Sequence, residues 1–163
     1  MMKTRREFFN SFIHQKSKEV AVRPPYYKDI SLFESECLTC KGVCKECCPE
    51  EIIVIQDDKL PKLDFGNGGC TYCDECAKAC EFGVLEINNR RLINAKVTID
   101  ITKCLSWNKT MCFSCKDICL DDAVKFLALF RAEIDYEKCT NCGFCVSACP
   151  VRAISVKGVV DGS

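Results

Sequence analysis

The cysteines of this chain fall into four groups that repeat along the sequence, and this repeat constrains the fold more than any other feature. The groups open at Cys37, Cys70, Cys104 and Cys139, so they are spaced by 33, 34 and 35 residues. Such regular spacing indicates one structural unit used four times. With 17 cysteines in 163 residues, metal or disulfides must supply much of the stability.

Within each group the cysteines follow a spacing that suits a metal cluster. The fourth group is the C-x2-C-x2-C-x3-C-P run of bacterial ferredoxins. The second keeps this spacing, the third has seven residues in its first gap, and the first has one extra residue in its second gap. The candidate ligands are Cys37, Cys40, Cys44 and Cys48; Cys70, Cys73, Cys76 and Cys80; Cys104, Cys112, Cys115 and Cys119; and Cys139, Cys142, Cys145 and Cys149.

We expect the groups to exchange their last ligands in pairs, because the fourth thiolate of a ferredoxin run belongs to the neighbouring cluster. In the first group Cys48 is the predicted ligand, since it keeps the x3 spacing from Cys44 and precedes Pro49, and Cys47 is the alternative. The prediction is four [4Fe–4S] clusters. Their ligand sets are Cys37, Cys40, Cys44 and Cys80; Cys70, Cys73, Cys76 and Cys48; Cys104, Cys112, Cys115 and Cys149; and Cys139, Cys142, Cys145 and Cys119.

Zinc and disulfide bonds are the competing explanations for so many cysteines. Zinc ribbons usually use two separated CxxC pairs and do not need a third and fourth cysteine at these spacings. An odd, CxxC-packed set is a poor disulfide framework and suits a reducing compartment. We therefore interpret the cysteines as iron–sulfur ligands in a cytoplasmic protein.

Short apolar segments flank the cysteine groups. Alternating β-branched or aromatic residues predict strands before three groups, at 62–65, 97–100 and 132–135. Each closing cysteine is predicted to begin a helical turn that leads into a strand, as at Val84, Leu85 and Ile87. The seven-residue gap of the third group, which contains Trp107, is expected to form a loop that shields a cluster or touches a partner.

The expected fold class is α+β, with two tandem bacterial-type 2[4Fe-4S] ferredoxin-like units in which metal replaces part of the hydrophobic core. The predicted domains are an N-terminal arm and extended linker over 1–32, a first unit over 33–95 and a second over 96–163. The proline pair at 24–25 predicts the extended linker. An amphipathic helix is predicted from Arg5 to Lys16, either binding a partner or lying on its own domain.

Several functions are excluded by composition and pattern. Basic and acidic residues number 23 each, so there is no electrostatic case for nucleic acid. No apolar stretch approaches the roughly 20 residues of a membrane span. The acidic pair Asp121 and Asp122 suits a helix end or a solvated surface better than acid–base chemistry, so we expect no catalytic site. The chain is predicted to be an electron-transfer protein and not an enzyme.

The N-terminal element and the cysteine spacing together resemble the ferredoxin-type accessory proteins of periplasmic nitrate reductase, the NapF family. The resemblance rests on Thr4-Arg5-Arg6-Glu7-Phe8-Phe9, on Arg23-Pro24-Pro25-Tyr26, on the four cysteine groups and on the seven-residue gap after Cys104. It covers nearly the whole chain, and only the extra residue in the first group departs from the family pattern. The start looks like a twin-arginine export signal, but no apolar segment or cleavage site follows, so export is not expected.

The resemblance implies a cytoplasmic accessory protein. Such a protein would meet the precursor of the molybdenum-containing catalytic subunit before export and would assist its maturation or deliver electrons to it. Two alternatives stay open. One is an electron-transfer subunit built permanently into a larger oxidoreductase complex, and the other is an interaction scaffold whose clusters are structural.

Overall fold

The computed structural model describes residues 20–160 and is a small mixture of short helices and two-stranded sheets. The helices are α1 (Ser31–Glu36), α2 (Val43–Glu46), α3 (Glu75–Lys78), α4 (Ser114–Asp117) and α5 (Phe144–Ala148), with a 3-10 helix at Ile87–Asn89. The strands are β1 (Ile53–Ile55), β2 (Pro61–Leu63), β3 (Ala95–Ile99), β4 (Val124–Leu127), β5 (Arg131–Ile134) and β6 (Ile154–Gly158).

The strands pair as antiparallel sheets of two. β1 with β2, and β4 with β5, form hairpins, and β3 pairs with the more distant β6 so that Val97 lies opposite Val156. Earlier in the chain an isolated antiparallel bridge joins Tyr27 to Leu85. Each half of the described chain therefore contains one hairpin and one pairing between segments distant in sequence.

The strands predicted before the cysteine groups are present as β2, β3 and β5. Strands β1, β4 and β6 follow three of the closing cysteines, also as predicted. The strand predicted after Cys80 is absent: Leu85 forms only the isolated bridge, and the chain then turns into the 3-10 helix. The reason is local, because the N–H of Asn89 donates to the carbonyl of Glu86 at 2.9 Å and closes a turn where a strand would have continued.

A short helix lies before each closing cysteine, whereas the sequence predicted a helical turn that begins at that cysteine. In each group the third cysteine lies within the helix and the closing cysteine follows the helix end. The carbonyl of Cys149 accepts a hydrogen bond from the N–H of Arg152 at 3.1 Å, and the carbonyl of Cys48 accepts one from Glu51 at 3.0 Å. Arg152 and Glu51 have φ of 50° and 53°, in the left-handed region, so the chain turns away at this point and no helix can continue.

The buried apolar residues form two clusters beneath the cysteine groups. The larger lies in the first half and includes Tyr26, Tyr27, Phe33 and Val84, each at most 2% exposed, and the smaller contains Val97, Val124 and Ile154. Cysteine side chains pack against both clusters. The segment predicted as an extended linker contributes to the first core through Val22, Pro24, Pro25, Tyr26 and Tyr27.

Most predictions for the N-terminal segment lie outside the described residues, which begin at residue 20. They include the twin-arginine element and the amphipathic helix from Arg5 to Lys16. Within residues 20–160 the longest helix has six residues, and no helix is long and apolar enough to cross a bilayer.

Candidate iron–sulfur cluster sites

Four cysteine-lined cavities lie along the described chain. All of the sixteen candidate ligands line one of them, and every cavity takes three cysteines from one group and the closing cysteine from another. Site 1 is lined by Cys37, Cys40, Cys44 and Cys80; site 2 by Cys48, Cys70, Cys73 and Cys76; site 3 by Cys119, Cys139, Cys142 and Cys145; and site 4 by Cys104, Cys112, Cys115 and Cys149.

The crossed lining follows from the short helices. α2 carries Cys44 at site 1 and leads to Cys48 at site 2, while α3 carries Cys76 at site 2 and leads to Cys80 at site 1. α2 packs against α3, which places sites 1 and 2 side by side. The packing of α4 against α5 relates sites 3 and 4 in the same way through Cys115, Cys119, Cys145 and Cys149.

The arrangement of the thiols suits a cluster better than a single ion. Among residues 20–160 no three His, Cys, Asp or Glu side chains converge closely enough to hold one metal ion. A structural zinc site needs four sulfurs at about 2.3 Å from one point. Here all of the cysteines are free thiols, and each quartet surrounds an apolar cavity, whose walls in site 4 include Ile99, Ala132 and Ile154. Four thiolates around a space fit a [4Fe–4S] cluster.

Backbone N–H groups donate hydrogen bonds to several of the cysteine sulfurs. In sites 1, 3 and 4 the closing cysteine accepts one such bond, and in site 1 Cys40 also accepts one from Gly42 at 3.3 Å. These bonds stabilise negative charge on the ligand sulfur and influence the reduction potential of a bound cluster. The donors to the closing cysteines are Leu85 to Cys80 at 3.4 Å, Ala123 to Cys119 at 3.3 Å and Ala153 to Cys149 at 3.2 Å.

Burial raises the pKa of thiols that line the cavities. It raises the pKa of Cys37, Cys70 and Cys115 to about 11 and that of Cys44 and Cys145 to about 12. Negative charge on neighbouring cysteines raises these pKa values further, since like charges disfavour ionisation. A thiol with a raised pKa keeps its proton at neutral pH, so binding a cluster must displace protons from the ligands.

Cys47 is the one cysteine that lines none of these four cavities. Its Sγ donates to the carbonyl oxygens of Cys44 and Glu75, both at 3.4 Å, whereas Cys48 lines site 2. One step along a helical turn rotates a side chain by about 100°. The two neighbouring cysteines therefore point in different directions, which supports Cys48 as the ligand.

The long gap of the third group folds against site 4. Leu105 and Ser106 line this cavity, and Ser106 is only 1% exposed. The indole Nε1 of Trp107 donates to the carbonyl of Ala132 at 3.0 Å, and the guanidinium of Arg131 lies 5.7 Å from the ring centroid. The sequence predicted that this loop shields a cluster or touches a partner, and its position beside site 4 suits the first of these roles.

Four aspartates ahead of the cysteine groups have a role that the sequence left unassigned. The side chain of each accepts a hydrogen bond from the N–H two residues later, which forms an Asx turn leading into the group. Asp100 and Asp135 each lie four residues before the first cysteine of their group, whereas Asp29 and Asp64 lie eight and six residues before theirs. The pairs are Asp29 with Ser31 at 2.8 Å, Asp64 with Gly66 at 2.9 Å, Asp100 with Thr102 at 3.0 Å and Asp135 with Glu137 at 3.2 Å.

Comparison with known proteins agrees with this geometry. The 4Fe-4S binding domain family, Fer4, matches residues 132–155, which contain the fourth cysteine group. Cysteine quartets, short helices and hairpins of this kind define a ferredoxin-type protein that binds [4Fe–4S] clusters.

The particular family follows from the relatives. The ferredoxin-type protein NapF of Haemophilus influenzae is 31% identical over 147 residues, covering 88% of this chain and 82% of the relative. NapF of Escherichia coli K12 is 29% identical over 140 residues, covering 83% and 84%. The chain belongs to the NapF family of ferredoxin-type proteins, which confirms the resemblance seen in the sequence.

A relative from outside this family matches a shorter part of its own length. It is one of the subunits of the Na(+)-translocating ferredoxin:NAD(+) oxidoreductase complex of Acetobacterium woodii, and it is 34% identical over 125 residues. The match covers 70% of this chain but 35% of the relative, so the similarity is to a portion of a larger protein.

Proposed function

We propose that the chain holds four [4Fe–4S] clusters and acts in electron transfer without a catalytic site of its own. The observation that carries this proposal is that the sixteen candidate ligands line four cavities, four cysteines to each cavity. The clusters are ligated in crossed sets, each with three thiolates from one group and the closing thiolate of its neighbour. Cys48 completes site 2, Cys80 site 1, Cys119 site 3 and Cys149 site 4.

We further propose a tandem organisation of two ferredoxin-like units, over 33–95 and 96–163, after an N-terminal segment over 1–32. The repeated pattern of one hairpin, one distant pairing and two cavities in each half supports it. The last residues of the N-terminal segment, from Val22 to Tyr27, pack into the core of the first unit and complete it.

Membership of the NapF family supports a specific physiological role. We propose that the protein is cytoplasmic and meets the precursor of the molybdenum-containing catalytic subunit of periplasmic nitrate reductase before export. There it assists maturation of the precursor or delivers electrons to it. The exposed part of each cluster site would be the point of contact for a redox partner.

A second candidate is an electron-transfer subunit built permanently into a larger oxidoreductase complex. The similarity to a component of a multi-protein complex from Acetobacterium woodii favours this alternative. The two candidates differ in the lifetime of the association, because an accessory protein is released when export begins.

The test is an anaerobic pull-down with the cluster-loaded chain as bait, paired with iron and sulfide analysis of the bait. The accessory role predicts about sixteen irons per chain, since each cluster contributes four, and retention of the reductase precursor in variable amounts. Stable stoichiometric recovery of the subunits of a larger oxidoreductase complex would instead support the second candidate. A bait containing mainly zinc would contradict the cluster proposal itself.

A further inference from the structure

Two ligand loops from opposite halves of the chain are joined by a direct backbone hydrogen bond. The N–H of Cys70 donates to the carbonyl oxygen of Cys142 at 2.7 Å. Cys70 lines site 2 and Cys142 lines site 3, so the bond links two residues that face different cavities.

Tyr72 fastens this junction from the side. Its hydroxyl donates to the carbonyl of Thr140 at 2.5 Å and accepts a hydrogen bond from the N–H of Ile93 at 3.1 Å. The amide Nδ2 of Asn141 donates to the carbonyl of Ile93 at 3.0 Å. Tyr72 lies next to the site 2 ligand Cys73, so one hydroxyl ties the site 2 loop, the site 3 loop and the segment between the halves together.

The junction is also closely packed. A Cβ added to Gly69 would overlap the ring of Phe144, and one added to Gly143 would overlap the ring of Phe65. The two loops can therefore approach as nearly as their backbones allow, with apolar rings on either side. Such packing excludes water and holds a fixed separation.

Sites 1 and 2 adjoin through α2 and α3, and sites 3 and 4 adjoin through α4 and α5. The bond between Cys70 and Cys142 connects these two pairs at sites 2 and 3. The contacts thus order the four sites in one series from site 1 to site 4. Electron tunnelling weakens steeply with distance, so the closeness of this junction decides whether the two halves exchange electrons.

We propose that electrons pass between the two halves at this junction, between the clusters of sites 2 and 3, and that Tyr72 is the positioning residue that fixes their separation. The inference rests on the proposed cluster sites. With clusters held by the cysteines of sites 2 and 3, the step would move one electron: one cluster would be oxidised by one electron, the other would be reduced by one, and no bond would be made or broken. Tyr72 does not itself carry the electron in this proposal.

The test isolates the two clusters at the junction. Cys40→Ala with Cys112→Ala removes one ligand from site 1 and one from site 4, leaving sites 2 and 3 complete. Tyr72→Phe is added to this variant, and Tyr136→Phe is the matched control, because the Tyr136 hydroxyl also donates to a backbone carbonyl, that of Val97, at 3.0 Å. Iron content and the electron paramagnetic resonance spectrum are measured after reduction by dithionite.

We expect about eight irons and a spectrum split by interaction between two reduced clusters. Tyr72→Phe should lose the splitting at unchanged iron content, and Tyr136→Phe should keep it. Two independent signals in the starting variant, or splitting that survives Tyr72→Phe, would overturn the inference while leaving the clusters established. A wild-type chain without iron–sulfur clusters would defeat the proposed function instead.

If the variant with Cys40→Ala and Cys112→Ala does not assemble its clusters, Tyr72→Phe and Tyr136→Phe are compared in the chain that keeps all four cluster sites. In that chain, freeze-quenching is used to measure the rate at which an electron that enters through one half reaches the other half. Tyr72→Phe should slow this rate relative to both the wild type and Tyr136→Phe. Equal rates in all three proteins would overturn the inference.

Discussion

The ring of Phe65 packs on the Cα of Gly143, so a residue just after β2 is in contact with the ligand loop of site 3. Gly143 has a φ of 86°, in the left-handed region that favours glycine. Two independent demands therefore fall on this position: a backbone conformation that side chains disfavour and a space that a Cβ would fill.

Gly143→Ala should destabilise the protein strongly, because it adds a steric overlap with Phe65 to a backbone cost of about 1–2 kcal/mol. Gly83→Ala is the matched control: Gly83 also has a positive φ, of 67°, but a Cβ there would lie 3.5 Å from the Glu86 carboxylate, an ordinary contact. The measurement is anaerobic unfolding by denaturant, monitored by visible absorption. Equal losses of unfolding free energy in the two variants would show that the overlap is relieved without cost.

The choice between neighbouring cysteines in the first group gives a second prediction. Cys48→Ser should remove the cluster of site 2 or weaken it severely, because Cys48 lines that cavity. Cys47→Ser should leave iron content and air stability near those of the wild type, because the Cys47 Sγ donates to the carbonyl oxygens of Cys44 and Glu75 and lines none of the four cavities. The reverse pattern in iron analysis would make Cys47 the ligand.

Trp107 offers a spectroscopic probe of site 4, since it is the single tryptophan of the chain. It adjoins Ser106, which lines the cavity, and iron–sulfur clusters quench nearby indole emission because they absorb broadly. We expect weak fluorescence in the loaded protein and an increase with Cys112→Ala, which removes a site 4 ligand. Cys37→Ala, which affects the distant site 1, is the control and should leave the emission weak.

Cluster assembly should depend on pH with a definite sign. Thiols such as Cys37 and Cys115 have pKa values of about 11, above the ordinary value of about 8.5, so they hold their protons across the neutral range. Each ligand must lose its proton to bind iron, so rising pH favours the loaded protein and falling pH favours release. Iron retained against a chelator at about pH 6.5 and 8.5 measures the trend.

The apoprotein should show the opposite trend. Thiol pKa values raised in the folded state mean that the unfolded chain releases its protons at lower pH than the folded chain does. This contribution to stability is complete below the ordinary thiol pKa and is lost as pH rises through about 11. If the iron retained by the loaded protein and the unfolding free energy of the apoprotein change in the same direction as pH rises, the thiols are not the groups responsible.

The cysteines that line each cavity could be grouped from the sequence because ligand spacing is a local property. Three cysteines on a short loop must face one point, and the helix that follows carries the chain to the adjacent site. The aspartates that open the groups were harder to find, because only Asp100 and Asp135 share a spacing to the first cysteine and a carboxylate in a turn leaves no distinctive pattern in one sequence.

The left-handed turns after the closing cysteines and the contact between the two ligand loops could not be predicted from residue type. The third residue after each closing cysteine is left-handed in all four repeats, yet only Gly83 signals this, because Glu51, Asp122 and Arg152 occupy the same position elsewhere. The contact of Cys70 with Cys142 was not predictable either, since it joins loops distant in sequence.

The two halves differ in the length of the backbone pairing that joins their sequence-distant segments. β3 and β6 are held together over five residue pairs, whereas Tyr27 and Leu85 form a single bridge at the other end of the chain. Short backbone pairings open more readily than long ones, so amide protons near Leu85 should exchange with solvent sooner than those of β3. Leu85 also supplies the N–H bound to the sulfur of Cys80. Site 1 is therefore the one where transient fraying would first admit oxygen, and oxidative damage to the protein should begin at its N-terminal end.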